Sequence, residues 1–405
     1  MKFELSEFED PLAIGGVRLG TTVAGIRTRE RDDLALVEIC PGAETAAVFT
    51  QNKFCAAPVI VARANIAEAR PRFLIFNSGN ANAGTGTNGV DDARVIVAEL
   101  ARLNGCPPNE VLPFSTGVIG ERLDCAKIAA VLPQLIANLD ISNWRSAASA
   151  IMTTDLVPKY FSLVIRVQDL SYRVSGLAKG SGMIHPNMAT MLAFVATDAE
   201  IPEIHLQRLL TECVDRSFNR ISVDGDTSTN DACVFTATGK TSDGSALTPD
   251  HPHWFAVVAG IEKVFESLAK SIVRDGEGAT KFVEIVVESA NEGDSLAIAT
   301  TVAQSPLVKT ALFASDPNWG RILAAIGRAP VSSMHVSEVS FWLNDYQIVS
   351  NGEPLETYDE SVAAEIMAET DIVLRILVGS GRALARIWTC DLSYDYVRIN
   401  AEYRS

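Results

Sequence analysis

The run Asn187-Met188-Ala189-Thr190-Met191-Leu192 places a threonine hydroxyl directly after a small residue. A peptide bond broken between Ala189 and Thr190 would make that threonine an N-terminal residue, with nucleophile and general base on one amino acid. The α-amine of a chain terminus has a pKa of about 7.7–8.0, so near neutrality it can take the hydroxyl proton directly or through a water. Neither a Ser-His-Asp triad nor a metal is then required. The preceding stretch, Lys179-Gly180-Ser181-Gly182-Met183-Ile184-His185-Pro186, contains the two glycines and the proline that a tight, strained approach to such a bond calls for. The same residues also fit a buried strand in which Met188, Met191, Leu192, Phe194 and Val195 pack inward and Thr190 is a satisfied hydroxyl, since threonine is common in strands.

Other chemistries find less support. The five histidines are His185, His205, His251, His253 and His335, and none has the spacing of a zinc site. His251-Pro252-His253 reads as a loop carrying two solvated imidazoles, and His185, beside Pro186, as a loop hydrogen-bonding residue. Gly180-Ser-Gly182 lacks the third glycine of a dinucleotide fingerprint and an evident strand-to-helix frame, and Gly239-Lys240-Thr241 has Val234 where a phosphate loop needs its first glycine. Neither a metal nor a cofactor is expected.

At 405 residues and 47% hydrophobic content the chain can bury one large α/β core or two unequal domains. A formal charge of -16 argues against nucleic-acid binding, which needs a basic footprint. Seven scattered cysteines without a CxxC pair predict reduced thiols in a cytoplasmic protein. The acidic beginning, MKFELSEFEDPLAIGG, has no apolar signal core, and no run approaches the roughly 18 apolar residues of a membrane span.

The elements that must hold the threonine read as mixed α and β. Strands are expected at 46–50 and 72–76, and a helix at 91–104 with Val95, Ile96, Leu100 and Leu103 on one face and Gly105 as its stop. Helices follow at 205–217 and 254–272, and strands at 281–288, 339–343, 372–378 and 386–392. The strands at 339–343 and 386–392 show period-2 alternation, while 372–378 is nearly apolar throughout and reads as buried on both faces.

The segment KGSGMIHPNMATMLAFVATD resembles the self-processing site of the ornithine acetyltransferase family, also called glutamate N-acetyltransferases. Further blocks resemble the family in family order: Phe76-Asn-Ser-Gly-Asn-Ala-Asn82, Ser115-Thr-Gly-Val-Ile-Gly120, Thr153-Thr-Asp155, Val223-Asp-Gly-Asp-Thr-Ser-Thr-Asn-Asp231, Ser315-Asp-Pro-Asn-Trp-Gly-Arg321 and the ending from Cys390 to Ser405. The resemblance implies an α-β-β-α sandwich of N-terminal nucleophile type with a smaller α/β lobe. It implies cleavage into an α chain of residues 1–189 and a β chain of residues 190–405, the two forming one core plus the smaller C-terminal lobe. Thr190 matches the family nucleophile. Thr116 and Gly117 match its oxyanion pair. Thr153, Lys179, Thr190, Glu277, Asn400 and Ser405 match its substrate-binding positions, Ser405 standing where many members carry threonine.

The implied reaction moves an acetyl group from N2-acetylornithine to glutamate through an acetyl-threonine, in arginine biosynthesis. Acetyl-CoA is a second candidate donor on which no motif decides. The implied partners are these small molecules and the α and β chains of one precursor, assembled as an (αβ)n oligomer, with no nucleic acid and no membrane. Two other readings use the same residues: a self-processing N-terminal-threonine amidase or aminopeptidase, which would pass the acyl group to water, and an uncleaved acidic scaffold protein.

Overall fold

A computed structural model describes residues 3–27, 31–185, 191–242, 244–331 and 334–402. In chain order its strands are β1 (Glu4–Phe8), β2 (Val17–Thr22), β3 (Leu34–Ile39), β4 (Glu44–Phe49), β5 (Phe73–Asn80), β6 (Val111–Val118), β7 (Lys159–Val167), β8 (Leu170–Lys179) and β9 (Leu192–Ala199). They continue as β10 (Ile221–Ser222), β11 (Ala232–Thr241), β12 (Phe282–Ser289), β13 (Val339–Leu343), β14 (Tyr346–Ser350), β15 (Glu353–Pro354), β16 (Asp371–Val378) and β17 (Ala383–Cys390). The helices are α1 (Ala57–Glu68), α2 (Gly86–Asn104), α3 (Cys125–Ala137), α4 (Trp144–Ala150), α5 (Glu203–Arg216), α6 (Trp254–Arg274), α7 (Glu292–Ala303), α8 (Pro306–Phe313), α9 (Trp319–Gly327), α10 (Glu360–Ala368) and α11 (Tyr394–Ala401). The described residues within Met1–Gly180, Asn187–Asn219 and Thr227–Ile272 form one compact unit, and those within Ser181–Pro186, Arg220–Asp226 and Val273–Ser405 a second.

In the first unit β1, β7, β8, β9, β11 and β4 lie side by side in that order, and β2, β3, β5 and β6 form another sheet. Strand β3 shows why the sheets must stack: Ala35 and Val37 point to one face and Leu34 and Leu36 to the other, all buried. Ala35, Val37, Leu74, Phe76 and Phe114 meet Leu177, Leu192, Phe194 and Val234 of the six-stranded sheet in one apolar cluster. Leu34, Leu36, Phe73 and Ile75 face outward, onto Ile96, Val97 and Leu100 of α2 and Ile128, Leu132 and Leu135 of α3. On the far side of the six-stranded sheet Phe265 of α6 meets Phe235 of β11 edge to face, with ring centroids 5.8 Å apart. The layers run helix, sheet, sheet, helix, as the resemblance implies.

Helix α2 ends as expected where Gly105 takes φ 64 and its N–H bonds Ala101, a left-handed cap, although the helix begins at Gly86, five residues before its expected start. Val95 is exposed rather than on the apolar face with Ile96 and Leu100. Within Ser315–Arg321, Asn318 caps α9 by accepting the Arg321 N–H at 3.3 Å.

The second unit holds a seven-stranded sheet in the order β10-β17-β12-β16-β13-β14-β15. Val283, Ile285, Ile372, Leu374, Ile376 and Phe341 pack against Ile298 and Val302 of α7 and Ile322 and Ile326 of α9. Strand β16 is not buried on both faces as its composition suggests: Ile372, Leu374, Ile376 and Val378 are buried, whereas Val373 and Arg375 are exposed. The second face is a charged one, where Arg375 pairs with Glu288 at 3.0 Å and Arg386 with Glu284 at 3.6 Å. The alternation expected at 339–343 is lost, since Val339, Ser340, Phe341 and Leu343 are all buried and only Trp342, beneath the Arg375 guanidinium, is half-buried. Strand β17 alternates only at its start and is buried from Ile387 to Cys390, where β10 pairs with it. His251 and His253 are likewise buried rather than solvated, because the Tyr172 hydroxyl engages His253 Nδ1 at 2.9 Å and the His253 N–H donates to His251 Nδ1 at 3.0 Å. All seven cysteines are free thiols. Among the described residues no single helix is long and apolar enough to cross a membrane.

Gly260, inside α6, is present because the helix presses onto β7: a Cβ there would stand 2.4 Å from the fully buried Ile165 side chain. Gly260→Ala, which in an open helix would stabilise, is expected to cost about 1–3 kcal/mol by overpacking. Urea denaturation of the variant checks the sign.

Candidate active site

Two glycine-bearing loops build the first part of the site. Strands β5 and β6 run parallel with Ser78 opposite Thr116 and Gly79 opposite Gly117. Gly117 has φ 131, and a Cβ on it would lie 2.3 Å from the Gly79 carbonyl carbon, so neither position of this crossing tolerates a side chain. The loops are tied by buried amides: Ser115 Oγ donates to Asn77 Oδ1 at 2.5 Å, Asn77 Nδ2 to the Asn80 carbonyl at 2.8 Å, and Asn230 Nδ2 to the Ser115 carbonyl at 2.9 Å. Thr116 is thereby fixed in a buried position with Gly117 next to it.

Lys179, at the end of β8, donates to Thr116 Oγ1 at 3.3 Å and is itself buried, 8% exposed. An ammonium has donors only. The Thr116 oxygen therefore accepts, and its own hydrogen is left to donate elsewhere.

Asp155 organises the surroundings of this lysine. One of its oxygens accepts Lys159 Nζ at 2.6 Å and the Gly180 N–H at 2.8 Å, and the other the Thr153 N–H at 2.9 Å. Burial opposes its ionisation, but the charges of Lys179 and Lys159, with the hydrogen bonds, outweigh burial and hold the carboxyl well below the usual carboxylate range. Thr116, Gly117, Thr153 and Lys179 are thus brought together within the first unit. Asp231 is a further buried carboxyl there. Burial pushes it well above the usual range, against a Ser228 hydrogen bond, the Lys179 charge and the Met191 N–H.

The second unit brings Glu277 and Asn400 together: Asn400 Nδ2 donates to Glu277 Oε2 at 2.7 Å, and Glu277 is 6% exposed. The Glu277 N–H donates to the Ser181 carbonyl at 2.8 Å. Gly182 is not a strained turn residue as expected from sequence; a Cβ on it would lie 2.4 Å from the Glu277 carboxylate, so its role is to leave room. In that stretch Gly180 has φ 157 and Met183 is left-handed, at φ 58. His185 is a loop hydrogen-bonding residue, paired with Gln304 through Nδ1. Pro186, Ala189, Thr190 and Ser405 lie outside the described residues, so the expected cleavage point, nucleophile and last binding position are not placed. No cluster of three or more metal-ligating side chains occurs among the described residues.

Sequence reading missed Asp155, Asp231, Asn77 and Asn230. Asp155 and Lys159 are four residues apart, and that spacing was the available signal for their pairing.

A glycine-lined crossing with the Thr116 hydroxyl and the Lys179 ammonium buried beside it, inside a four-layer sandwich, is a set of groups suited to stabilising an oxyanion. Comparison with known proteins narrows the class. The ArgJ family profile matches residues 18–405. The chain is 53% identical to the arginine biosynthesis bifunctional protein ArgJ of Methylococcus capsulatus, over 97% of this chain and 96% of the relative, and 50% identical to the protein of the same name from Psychrobacter arcticus, over 97% of each. A crystal structure of the arginine biosynthesis bifunctional protein argJ of Bacillus halodurans matches with a TM-score of 0.50 and 41% identity, over 52% of this chain and 99% of that one. The chain belongs to the ArgJ family.

Asp155→Asn would remove the buried carboxylate that pairs with Lys159 and is expected to destabilise the protein by about 3–5 kcal/mol. Because the Asp155 pKa is depressed on folding, its stabilisation is complete above the unfolded value of about 3.9 and drains away as pH falls toward the folded value. Thermal denaturation between neutral and acid pH should show wild type and variant converging as acid is added. Parallel curves would reject this role for the pair.

Proposed function

We propose that this chain moves the acetyl group of N2-acetylornithine to glutamate through an acetyl ester on Thr190, as an acetyltransferase of arginine biosynthesis. Membership in the ArgJ family over nearly the whole chain carries the reading. The single structural observation that supports it is the Lys179 to Thr116 hydrogen bond beside Gly117, because it leaves the Thr116 hydroxyl hydrogen to donate toward an oxyanion.

In the first half-reaction Thr190 Oγ attacks the acetyl carbonyl while the Thr190 amine takes the hydroxyl proton. The carbonyl oxygen becomes an oxyanion, held by the Thr116 hydroxyl and the Gly117 N–H. Collapse breaks the amide C–N bond, and the proton passes to the departing ornithine amine. In the second half-reaction the glutamate amine attacks the ester carbonyl, the C–O bond breaks and Thr190 regains its proton. Ping-pong kinetics follow. Donor and acceptor are both α-amino acids with a carboxylate, which the Lys179 charge and the Thr153 hydroxyl suit, so one anchor serves each in turn. The resemblance adds Glu277, to which Asn400 donates, for an amine. Ser405 completes the set by resemblance.

Cleavage of the Ala189–Thr190 bond is required for the amine to exist. The Bacillus halodurans chain, matched over 99% of its length, spans only about half of this one, the size of either expected fragment, which supports such a cut. Seven free thiols suit the cytoplasm, where we place an (αβ)n oligomer of the two chains. The relatives' designation as bifunctional suits a second donor, for which acetyl-CoA is the proposal.

Purified protein is expected to give two masses, residues 1–189 and 190–405. Thr190→Ala should abolish both cutting and N-acetylglutamate formation, and an alanine variant that still made N-acetylglutamate would require another nucleophile. Free acetate in place of N-acetylglutamate from the wild-type enzyme would point to the amidase.

Thr116→Ala removes one oxyanion donor and leaves Thr190 intact. Loss of such a donor typically lowers turnover about 100- to 1000-fold. Because the oxyanion exists only beyond the ground state, kcat and kcat/KM should fall together with KM steady, after normalising to the cleaved fraction. A preserved kcat with a steep rise in KM would make Thr116 a ground-state contact.

A further inference from the structure

The backbone of the glycine crossing is gripped by the segment that leads into β3, wholly within the first unit. Asp33, 5% exposed, accepts the Ala24 N–H at 2.6 Å on one carboxylate oxygen and the Ile26 N–H at 2.7 Å on the other. Its carbonyl accepts the Ser78 N–H at 2.9 Å. Next to Ile26 in the chain, Arg27 donates from Nε to the carbonyl of Gly79, next to Ser78, at 3.0 Å. Asp33, Ile26, Arg27, Gly79 and Ser78 therefore close a ring of peptide and hydrogen bonds, and the arginine is not a loose end of it.

Gly79 lacks a side chain for this reason as well as for the crossing. At φ 99, a Cβ on it would stand 2.7 Å from Arg27 Cγ and 3.5 Å from Ile26 Cγ2, so the arginine stem is seated on its bare face. Gly117 is seated on the peptide that follows. A Cβ on Gly117 would stand 2.3 Å from the Gly79 carbonyl carbon and 2.6 Å from the Asn80 nitrogen. A peptide unit is planar, so holding its oxygen fixes the whole plane. Arg27 holds that oxygen. At the other end Asn77 Nδ2 holds the Asn80 carbonyl at 2.8 Å. Rotation of the Gly79–Asn80 peptide would break the arginine bond and turn the plane on which Gly117 rests.

We infer that Arg27 is a positioning residue for acetyl transfer: by fixing the Gly79–Asn80 peptide it fixes Gly117, and with it the direction of the Gly117 N–H. The inference rests on the reading of Thr116 and Gly117 as oxyanion donors. On that reading each donor is set by a cation, Thr116 by Lys179 on its side chain and Gly117 by Arg27 on the peptide beneath it. Arginine suits the second task. Its hydrogen bond is charge-assisted, about twice as strong as a neutral one, and its donor lies in a rigid plane joined to the stem that packs on Gly79. An oxyanion hole works through donors that need no reorganisation as charge develops, and a misplacement of about 1 Å can cost about 100-fold.

The test follows full-length wild type and variants, with rates expressed per folded, cleaved molecule and the acetyl-enzyme followed by mass. Arg27→Met keeps a stem to lie on Gly79 and removes the donor. It is expected to lower kcat and kcat/KM together by about 10- to 100-fold, with KM for acetylornithine and for glutamate within about twofold of wild type. Formation and breakdown of the acetyl-enzyme should slow by similar factors, since both pass through an oxyanion on the same carbonyl. Arg27→Lys returns a cationic donor and should recover kcat to within about threefold of wild type.

Four results overturn the inference: an unchanged kcat in Arg27→Met, which leaves the arginine a structural residue; a preserved kcat with a steep rise in KM, which makes it a substrate contact; a loss confined to one half-reaction; or a lysine variant no better than the methionine one. Should Arg27→Met not fold, Arg27→Lys decides. Turnover near wild type then supports the positioning role, and a folded but slow variant, or an unfolded one, overturns it. Undiminished turnover in Thr116→Ala would instead remove the oxyanion reading on which the inference depends.

Discussion

A positive charge carried into a nearly closed interior, that of Lys179, sets the terms for the first unit. Such a charge is costly unless it is paired and hydrogen-bonded. Asp155, ionised, lies within the field of Lys179 and pairs with Lys159 at 2.6 Å. Burial pushes the nearby Asp231 carboxyl well above the usual range, against the pull of the Lys179 charge. On the reading of Thr116 and Gly117 as oxyanion donors, the fixed Lys179 charge beside Thr116 would favour an oxyanion over the neutral ground state.

The same lysine decides hydrogen-bond directions. Lys179 can only donate, so the Thr116 oxygen accepts and the hydroxyl hydrogen is released for other use. This orientation has value only if Thr116 cannot drift. The crossing of Gly79 and Gly117 and the amides of Asn77 and Asn230 remove that freedom through the backbone carbonyls they bind. Asparagine suits the task because one side chain donates and accepts at once, as Asn77 does between Ser115 and Asn80.

The layered first unit was legible through the resemblance; the strand Leu34-Ala-Leu-Val37, not among those expected from the sequence, is apolar on both faces and so requires cover on each side. Strand β16 misled because Val373 looks like core in a one-dimensional pattern, while the face it occupies is settled by which side of the sheet the helices cover. The histidines at 251 and 253 misled similarly: a Pro-bearing loop suggests solvent, but a distant tyrosine, Tyr172, supplies the partner that permits burial. Thr116, Gly117, Thr153, Lys179, Glu277 and Asn400 were singled out through resemblance alone, since an isolated lysine or glutamate normally lies in water and nothing local announces the burial of Lys179 and Glu277. Asp155 and Asp231 stood inside quoted blocks without a role, because their partners at 179, 180 and 191 are reached only through strand pairing.

The strand order bears on how a cut chain would keep its site. Strand β8 precedes the Ala189–Thr190 bond and β9 follows it, and the two pair antiparallel with Lys179 opposite Leu192. On the other side β9 pairs with β11, and β11 with β4, which again precedes the bond. Strands from after the cut are therefore enclosed on both edges by strands from before it. Separating the fragments would break two strand interfaces and expose the apolar cluster that joins Phe76 and Phe114 to Phe194 and Val234. That burial belongs to the hydrophobic core and not to the peptide bond, so hydrolysis of one bond leaves the dominant stabilising term in place. A fold of this kind can release an internal threonine as a chain terminus without losing the structure that gives the terminus its surroundings.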